Sequence, residues 1–206
     1  MTAPMIKHPV PYYSQWESAA LVPEFITGTR SAADDPLWPK SGANTAQEYE
    51  FWAPRMCGVA CLRMTLDHLG HPVPPSVPLV RDLVEAGAYV RDGDNVQGLI
   101  YAPFANHVTH RWSIPAIPAR DLPAAEIPRH LTAGRLVMIS VHKTIRHPET
   151  TEPLSRGGHL VLAVGTSEDN VMIHNPSGLP GTSQEYAPVP WPRLERFYAG
   201  RGVILG

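Results

Sequence analysis

The stretch Met56-Cys-Gly-Val-Ala-Cys-Leu-Arg-Met-Thr-Leu-Asp-His-Leu-Gly70 decides the fold, because it predicts a helix with two apolar faces. One face carries Leu62, Leu66 and Leu69, and the other carries Ala60, Cys61 and Met64. Gly70 suits the position just after a helix, and Pro72 prevents the helix from continuing. A helix with two apolar faces is packed on two sides, so we expect it to lie at the centre of the core.

Cys57 lies in the first turn of this predicted helix, since Pro54 places the helix start near Met56 or Cys57. The free backbone N–H groups and the positive end of the helix dipole favour a thiolate there over a thiol. We therefore predict that Cys57 is a nucleophile, the alternative being a cysteine that only packs. Cys61 lies one turn deeper and is expected in the core, since a disulfide between two cysteines along one helix has poor geometry.

Composition limits the classes of protein to which the chain can belong. Its 206 residues fit one domain, and 43% of them are hydrophobic, which is enough for a substantial core. The net charge of −2 gives no indication of nucleic-acid binding, and two cysteines do not make a disulfide framework. No apolar run has the length of a membrane span, and we see no secretory signal at the N-terminus. We expect a cytoplasmic protein without a nucleic-acid or membrane partner, and its oligomeric state stays open.

Helical patterns come first along the chain and strand patterns second, which indicates an α+β fold rather than alternating βαβ units. Besides the central helix, helices are predicted over 78–87, 95–110 and 124–133, with a short helix near 45–51 and a helical turn near 191–197. Strands are predicted over 135–142, 159–165, 170–175 and 201–205, after an extended N-terminal arm over 8–15. Turn residues over 167–170 predict a hairpin between the second and third of these strands.

Residues 17–50 show no sustained periodicity and are predicted to be a long insertion within a single domain of residues 1–206. The large aromatic rings in or beside this segment are Trp16, Phe25, Trp38, Tyr49, Phe51 and Trp52. Ligand-binding surfaces use such rings, so we expect residues 24–44 to form a lid or wall beside the functional site. The alternative is that the rings anchor a long loop to the body of the protein.

A thiol nucleophile needs a nearby base and a group that orients the base. His159 begins a predicted strand after Arg156-Gly-Gly158, and the glycines permit a close approach to the site. The predicted hairpin brings Asn175 close to His159, where its side-chain oxygen can accept the imidazole N–H. Each residue also has a simpler explanation, His159 as a histidine at a strand end and Asn175 as a turn residue before a proline. Gln15 and the backbone N–H of Cys57 are candidate oxyanion donors, although Gln15 also fits an edge strand.

The order of Gln15, Cys57-Gly58, His159 and Asn175 resembles that of the papain-like cysteine peptidases. It most closely resembles stand-alone relatives of the bacteriocin-processing peptidases, which act on double-glycine leaders. The matching segments are Val10-Pro-Tyr-Tyr-Ser-Gln15, Cys57-Gly-Val-Ala-Cys-Leu62, Gly157-Gly-His-Leu-Val-Leu-Ala-Val-Gly165 and Val171-Met-Ile-His-Asn-Pro176. The resemblance implies a papain-like α+β fold, in which a helical part carrying the nucleophile packs on an antiparallel sheet carrying histidine and asparagine. It implies that Gln15 is the oxyanion donor, Cys57 the nucleophile, His159 the general base and then acid, and Asn175 the orienting residue.

The chain departs from this family in three ways. Val59 stands where relatives often have a proline after Cys-Gly, and Asn175 stands where they often have an aspartate. Gln15 and Cys57 are 42 positions apart, which is a long interval. No transporter segment accompanies the motifs, so we do not expect a transporter-fused processing enzyme.

The resemblance implies acyl transfer through a thioester on the nucleophilic cysteine. We expect hydrolysis of a peptide or amide bond in a dedicated, biosynthetic peptide substrate. Two alternatives stay open: an acyltransferase or amide synthase in natural-product biosynthesis, and a non-catalytic peptide-binding module. The residues expected to contact the substrate are Trp16, Trp52, Gly58 and Gly158. No cofactor or metal is expected, because the histidine pairs His68/His71 and His107/His110 lack further ligands nearby.

Overall fold

The structure is a computed structural model and describes residues 5–206. Its α-helices are α1 (Val22–Thr27), α2 (Ala46–Trp52), α3 (Cys57–His68), α4 (Ser76–Glu85), α5 (Tyr101–Trp112), α6 (Ile127–Thr132) and α7 (Trp191–Phe197). Its strands are β1 (Ile6–Lys7), β2 (Arg91–Asp92), β3 (Asn95–Val96), β4 (Ala116–Ala119), β5 (Leu136–Val141), β6 (His159–Thr166), β7 (Asn170–His174), β8 (Ala187–Pro190) and β9 (Tyr198–Leu205). Within this part of the chain, no helix is long and apolar enough to cross a membrane. Residues 1–4, part of the N-terminal segment in which no secretory signal is expected, lie outside the described residues.

An antiparallel sheet of seven strands organises the protein. Its order is β4-β9-β5-β6-β7-β8, and β1 pairs with one end of β6. β6 lies inside the sheet and is buried along its whole length, which explains its nearly continuous apolar sequence. The β6–β7 hairpin closes through Ser167, whose N–H donates to Asn170 O at 2.8 Å, as the turn residues predict.

Helices cover both faces of the sheet, because successive side chains of a strand point to opposite sides. Met138 of β5 packs into a cluster with residues of α3, α4 and α5. Its neighbour Ile139 packs on the other side, with residues of α6 and α7. The sheet therefore lies between two apolar clusters, and both contribute to the core.

The helix α3 lies at the centre of the larger cluster. It begins at Cys57, ends at His68 and has eight buried residues, which include most of both predicted apolar faces. Leu69 follows the helix and is 38% exposed, so it does not belong to the buried face as predicted. The predicted α+β fold, with a central helix packed on an antiparallel sheet, is confirmed.

Some elements differ from the sequence prediction. The third predicted helix begins at Tyr101 rather than at residue 95, because β2 and β3 form a small separate hairpin just before it. Pro103 fits in the first turn of α5, where backbone N–H groups have no partner within the helix. The predicted arm over 8–15 is extended, but it does not pair with the sheet as a strand. The edge strands β4 and β8 were not predicted because both contain proline, which is tolerated at sheet edges.

Residues 17–50 fold against the helical layer around one buried carboxylate. Asp35 is fully buried and accepts hydrogen bonds from Ser18, Leu37 and the hydroxyl of Tyr49. These donors come from the beginning, middle and end of the segment, so Asp35 joins its parts together. Much of the segment therefore serves to anchor itself, as the alternative interpretation of its aromatic rings expected.

Candidate active site

Cys57 is the first residue of α3, where no side chain caps the helix. Burial raises the pKa of the Cys57 thiol. The N–H groups of Leu160, Gly58 and Cys57 act in the opposite direction, and so does the charge of Arg146, but burial dominates. Burial thus acts against the expected thiolate, and the raised pKa favours the thiol form of Cys57 at neutral pH.

His159 begins β6, and the turn before it depends on two glycines. Gly157 and Gly158 have φ angles of 81° and 94°, in the left-handed region that favours glycine. A Cβ on Gly157 would lie 2.9 Å from both Ser140 Oγ and Ala199 Cβ. Gly158 N–H donates to Ser140 Oγ at 3.3 Å. These close contacts fix His159 where β6 enters the sheet.

Asn175 follows β7 and holds the imidazole of His159 in one tautomer. His159 Nε2 lies 2.8 Å from Asn175 Oδ1. Ser177 N–H donates to the same atom at 3.1 Å, which identifies it as the acceptor oxygen. Nε2 therefore carries the proton, and Nδ1 keeps the lone pair that can accept a proton from Cys57.

The surroundings of His159 keep its ring neutral. The residue is 6% exposed, and burial lowers its pKa from 6.5 to about 4, although the hydrogen bond with Asn175 raises it. With the raised pKa of Cys57, this gives a neutral thiol and a neutral imidazole at pH 7. Such a pair acts by general base catalysis, in which the imidazole takes the thiol proton during attack.

Gln15 is held beside the site by hydrogen bonds to the loop after β7. Gln15 N–H donates to Pro176 O at 2.9 Å, and Ser14 Oγ donates to the same carbonyl at 2.9 Å. The buried side chain of Gln15 donates from Nε2 to Ala53 O at 3.0 Å. An amide nitrogen has a second hydrogen, which remains available to a negative oxygen in the cleft, as does the N–H of Cys57.

Gln15, Cys57 and His159 line a single cleft with a volume of 1290 Å³. Asn175 is fully buried behind His159 and reaches the cleft only through the imidazole. The structure therefore brings the four predicted catalytic residues together, with the thiol, the imidazole and the amide facing one space.

The four residues predicted to contact substrate fall into two pairs. Trp16 and Gly158 line the cleft, whereas Trp52 and Gly58 do not. Trp52 is 5% exposed and packs edge-on against Tyr89 in the core. A Cβ on Gly58 would lie 3.0 Å from the Tyr89 hydroxyl, so the absence of a side chain there permits close packing. The predictions for Trp52 and Gly58 are corrected accordingly.

The predicted lid over residues 24–44 is only partly placed at the cleft. Phe25 and Ile26 are its members that line the cleft, and Trp16 stacks on Phe25 with ring centroids 5.7 Å apart. The other residues of 24–44 do not line the cleft, and among them Leu37 N–H donates to buried Asp35. Residues 24–44 therefore contribute one short wall to the cleft and do not cover it.

Sequence reasoning missed two residues of the site. Arg146 lines the cleft, and its charge lowers the pKa of both Cys57 and His159. Ser177 is buried, with its Oγ 3.0 Å from His159 Nε2. An asparagine that accepts a hydrogen bond from the N–H two residues later is a common turn, so Ser177 had a signal in the sequence. Nothing in the sequence distinguishes Arg146 from the other arginines.

We expect Gln15→Ala to lower the turnover rate by about 10²–10³-fold, the usual loss for one oxyanion donor, with little change in substrate binding. The matched control is Gln184→Ala, which removes an amide that donates to Ala19 O outside the cleft. Steady-state kinetics of both variants test this prediction. Normal turnover with weakened binding in Gln15→Ala would instead identify a substrate contact.

Comparisons with known proteins identify a family and structures with a similar fold. The model described as the Peptidase_C39 like family matches residues 8–202. A structure described as a C39-like peptidase from Bacillus anthracis has a TM-score of 0.60 and 14% identity, covering 99% of this chain and 98% of that chain. The peptidase domain of Streptococcus ComA, described as a bi-functional ABC transporter involved in quorum sensing, has a TM-score of 0.51 and 14% identity, covering 74% of this chain and 92% of that chain. No curated protein matches the chain. At this identity, the two structures show a shared fold.

Proposed function

The chain belongs to the Peptidase_C39 like family, and on this premise we propose that it hydrolyses a peptide or amide bond in a dedicated peptide substrate. Family membership supports a peptidase-type enzyme. The observation that carries the proposal furthest is the 2.8 Å hydrogen bond between His159 Nε2 and Asn175 Oδ1, which leaves Nδ1 as a base in the cleft of Cys57.

The reaction follows from these positions. As Cys57 Sγ attacks the carbonyl carbon, its proton passes to His159 Nδ1, and negative charge develops on the carbonyl oxygen. The Gln15 amide and the Cys57 N–H donate hydrogen bonds to that oxygen. His159 then returns the proton to the leaving amine, and the acyl group remains on sulfur as a thioester. A water molecule, deprotonated by His159, releases the acid and regenerates the thiol.

An acyltransferase or amide synthase would use the same thioester but release it to an amine or thiol. We further propose a cytoplasmic location, since both cysteines are free thiols.

Intact-mass spectrometry with a pool of synthetic peptides tests the proposal. We expect an acyl adduct on Cys57, followed by a carboxylic acid product; an added amine that appears in the product instead identifies acyl transfer. Cys57→Ala is the matched control and should form no adduct. Peptides that bind the protein without any adduct or product would support the non-catalytic module and overturn hydrolysis.

A further inference from the structure

The cleft carries an excess of positive charge that the chemistry of the thioester does not need. Its lining contains no carboxylate residue and five cationic residues: Arg55, Arg120, Lys143, Arg146 and Arg201. The whole chain has 19 acidic and 17 basic side chains, so this local imbalance does not reflect the composition. A concave surface with charge of one sign concentrates ligands of the opposite sign.

Most of the ten arginines outside the cleft behave differently. Six of them lie within ion-pair distance of a carboxylate: Arg30, Arg63, Arg81, Arg111, Arg129 and Arg196. Across residues 5–206, none of the four cleft arginines has such a partner. His147 is a cleft residue with a carboxylate nearby, that of Glu149, which is 76% exposed. The cleft arginines are thus left without protein counter-charges.

Arg146 is the most informative of these residues, because its side chain is almost wholly buried yet still lines the cleft. The residue is 7% exposed, and Nε donates to Lys143 O at 2.8 Å. Within the described chain, its two terminal nitrogens have no protein acceptor. Burial lowers its pKa to about 10, so it remains charged at neutral pH. Both terminal nitrogens keep some exposure, so they can donate to a ligand that enters the cleft.

We propose that the cleft selects a peptide with a carboxylate side chain close to the bond that is cleaved, and that Arg146 binds this carboxylate. This inference rests on the proposed function and deepens it by naming the substrate class, an acidic peptide. The planar guanidinium can donate two parallel hydrogen bonds to a carboxylate. Exposed Lys143, one 3₁₀ turn away, increases the attraction for an acidic chain entering the cleft.

The position of Arg146 relative to the nucleophile supports a subsite next to the reacting bond. The last residue of β5 is paired with His159, and the 3₁₀ turn that ends at Arg146 follows it almost at once, so Arg146 and Cys57 line the same cleft. Apolar residues such as Leu99 and Tyr89 line other parts of the cleft and suit the remaining side chains of a peptide.

Alkylation of Cys57 by iodoacetate and by iodoacetamide tests the subsite without a known substrate. The reagents differ in charge, and both report on the same thiol, so the pKa and reactivity of Cys57 cancel in the ratio of the two rate constants. We expect the ratio of the iodoacetate rate constant to the iodoacetamide rate constant to be about tenfold higher in the folded protein than in the urea-unfolded chain. This value is at the low end of the rate gains that a focused charge produces. Peptide mapping identifies Cys57 as the alkylated residue.

Substitutions of Arg146 decide whether this residue causes the preference of the folded protein for iodoacetate. Arg146→Gln should return the ratio towards that of the unfolded chain, and Arg146→Lys should restore part of it. The matched control is Arg111→Gln, which removes an arginine that pairs with Asp82 outside the cleft and should leave the ratio unchanged. Should Arg146→Gln fail to fold, Lys143→Gln at an exposed position should still lower the ratio.

Peptide protection tests the substrate class directly. Glutamate-containing hexapeptides should protect Cys57 from iodoacetamide at about tenfold lower concentration than their glutamine counterparts, and Arg146→Gln should remove the difference. Equal protection by both peptides, or a reagent ratio that does not depend on Arg146, would overturn the acidic subsite while leaving the proposed hydrolysis intact. A folded protein whose Cys57 reacts with neither reagent even at alkaline pH, where a raised thiol pKa is no obstacle, would overturn the accessible nucleophile, and with it both proposals.

Discussion

Cys57→Ala should abolish turnover, with a loss of about 10⁶-fold, as expected when a hydrolase loses its nucleophile. The substitution removes the atom that forms the thioester, and neither His159 nor Gln15 can replace it. Cys57 lies at the first position of α3 and is partly exposed, so its replacement should leave the fold intact. Turnover assays and thermal unfolding of the purified variant measure the two effects.

Cys61→Ala is the matched control for this prediction. Cys61 is fully buried one turn further along α3, where it contacts the core rather than the cleft. We expect this variant to keep its activity and to lose about 1–2 kcal/mol of stability through the small cavity that it leaves. An active Cys57→Ala variant, or an inactive but folded Cys61→Ala variant, would show that the nucleophile is misassigned.

His159→Ala should reduce turnover by about 10⁴–10⁶-fold, because no other group can accept the thiol proton. His174→Ala should act mainly on stability. His174 is fully buried, its Nε2 lies 2.8 Å from Val10 O, and its Nδ1 accepts a hydrogen bond from Tyr186 N–H at 3.0 Å. Its loss leaves Tyr186 N–H without its partner, whereas Val10 O keeps the Tyr186 hydroxyl as a donor, and the change should cost about 1–3 kcal/mol. Kinetics normalised to the folded fraction separate the two variants, and an inactive His174→Ala beside an active His159→Ala would reverse their roles.

The pH dependence gives an independent measurement of the same histidine. The pKa of His159 is about 4 in the folded protein and near its usual value of 6.5 in the unfolded chain. The unfolded chain binds the proton first on acidification, so the stability due to the neutral ring is complete above about pH 6.5 and declines as pH falls towards 4. His159→Ala should therefore lose less stability than the parent between these pH values. An identical acid profile for both proteins would contradict a buried neutral imidazole.

The sequence was most informative where residues repeat with a clear period or have unusual backbone requirements. The apolar faces of α3, the continuous apolar run of β6 and the hairpin after it could all be predicted, and together they bring Cys57, His159 and Asn175 to one place. The glycines before His159 indicated a close approach, which Ser140 and Ala199 explain.

Three features could not be predicted because they depend on contacts between distant parts of the chain. The protonation state of Cys57 reflects the balance between burial and local donors, and the sequence shows only the donors. The role of Trp52 depends on whether its ring faces the core or the cleft. Arg146 became notable only through its burial beside the cleft and, within residues 5–206, its lack of a carboxylate partner.

The hydrogen bonds between the N-terminal arm and the loop after β7 also determine when the enzyme can become active. Tyr12 and Ser14 reach carbonyls that lie 163 and 162 positions later in the chain. During synthesis, the arm emerges first and has no partner until that loop has left the ribosome, so contacts of such long range form late in folding. Since the same bonds hold the oxyanion donor next to the residue that orients the base, a growing chain can expose its thiol but cannot yet use it. The connectivity of the fold thereby makes the arrangement of the site depend on synthesis of the chain past residue 176.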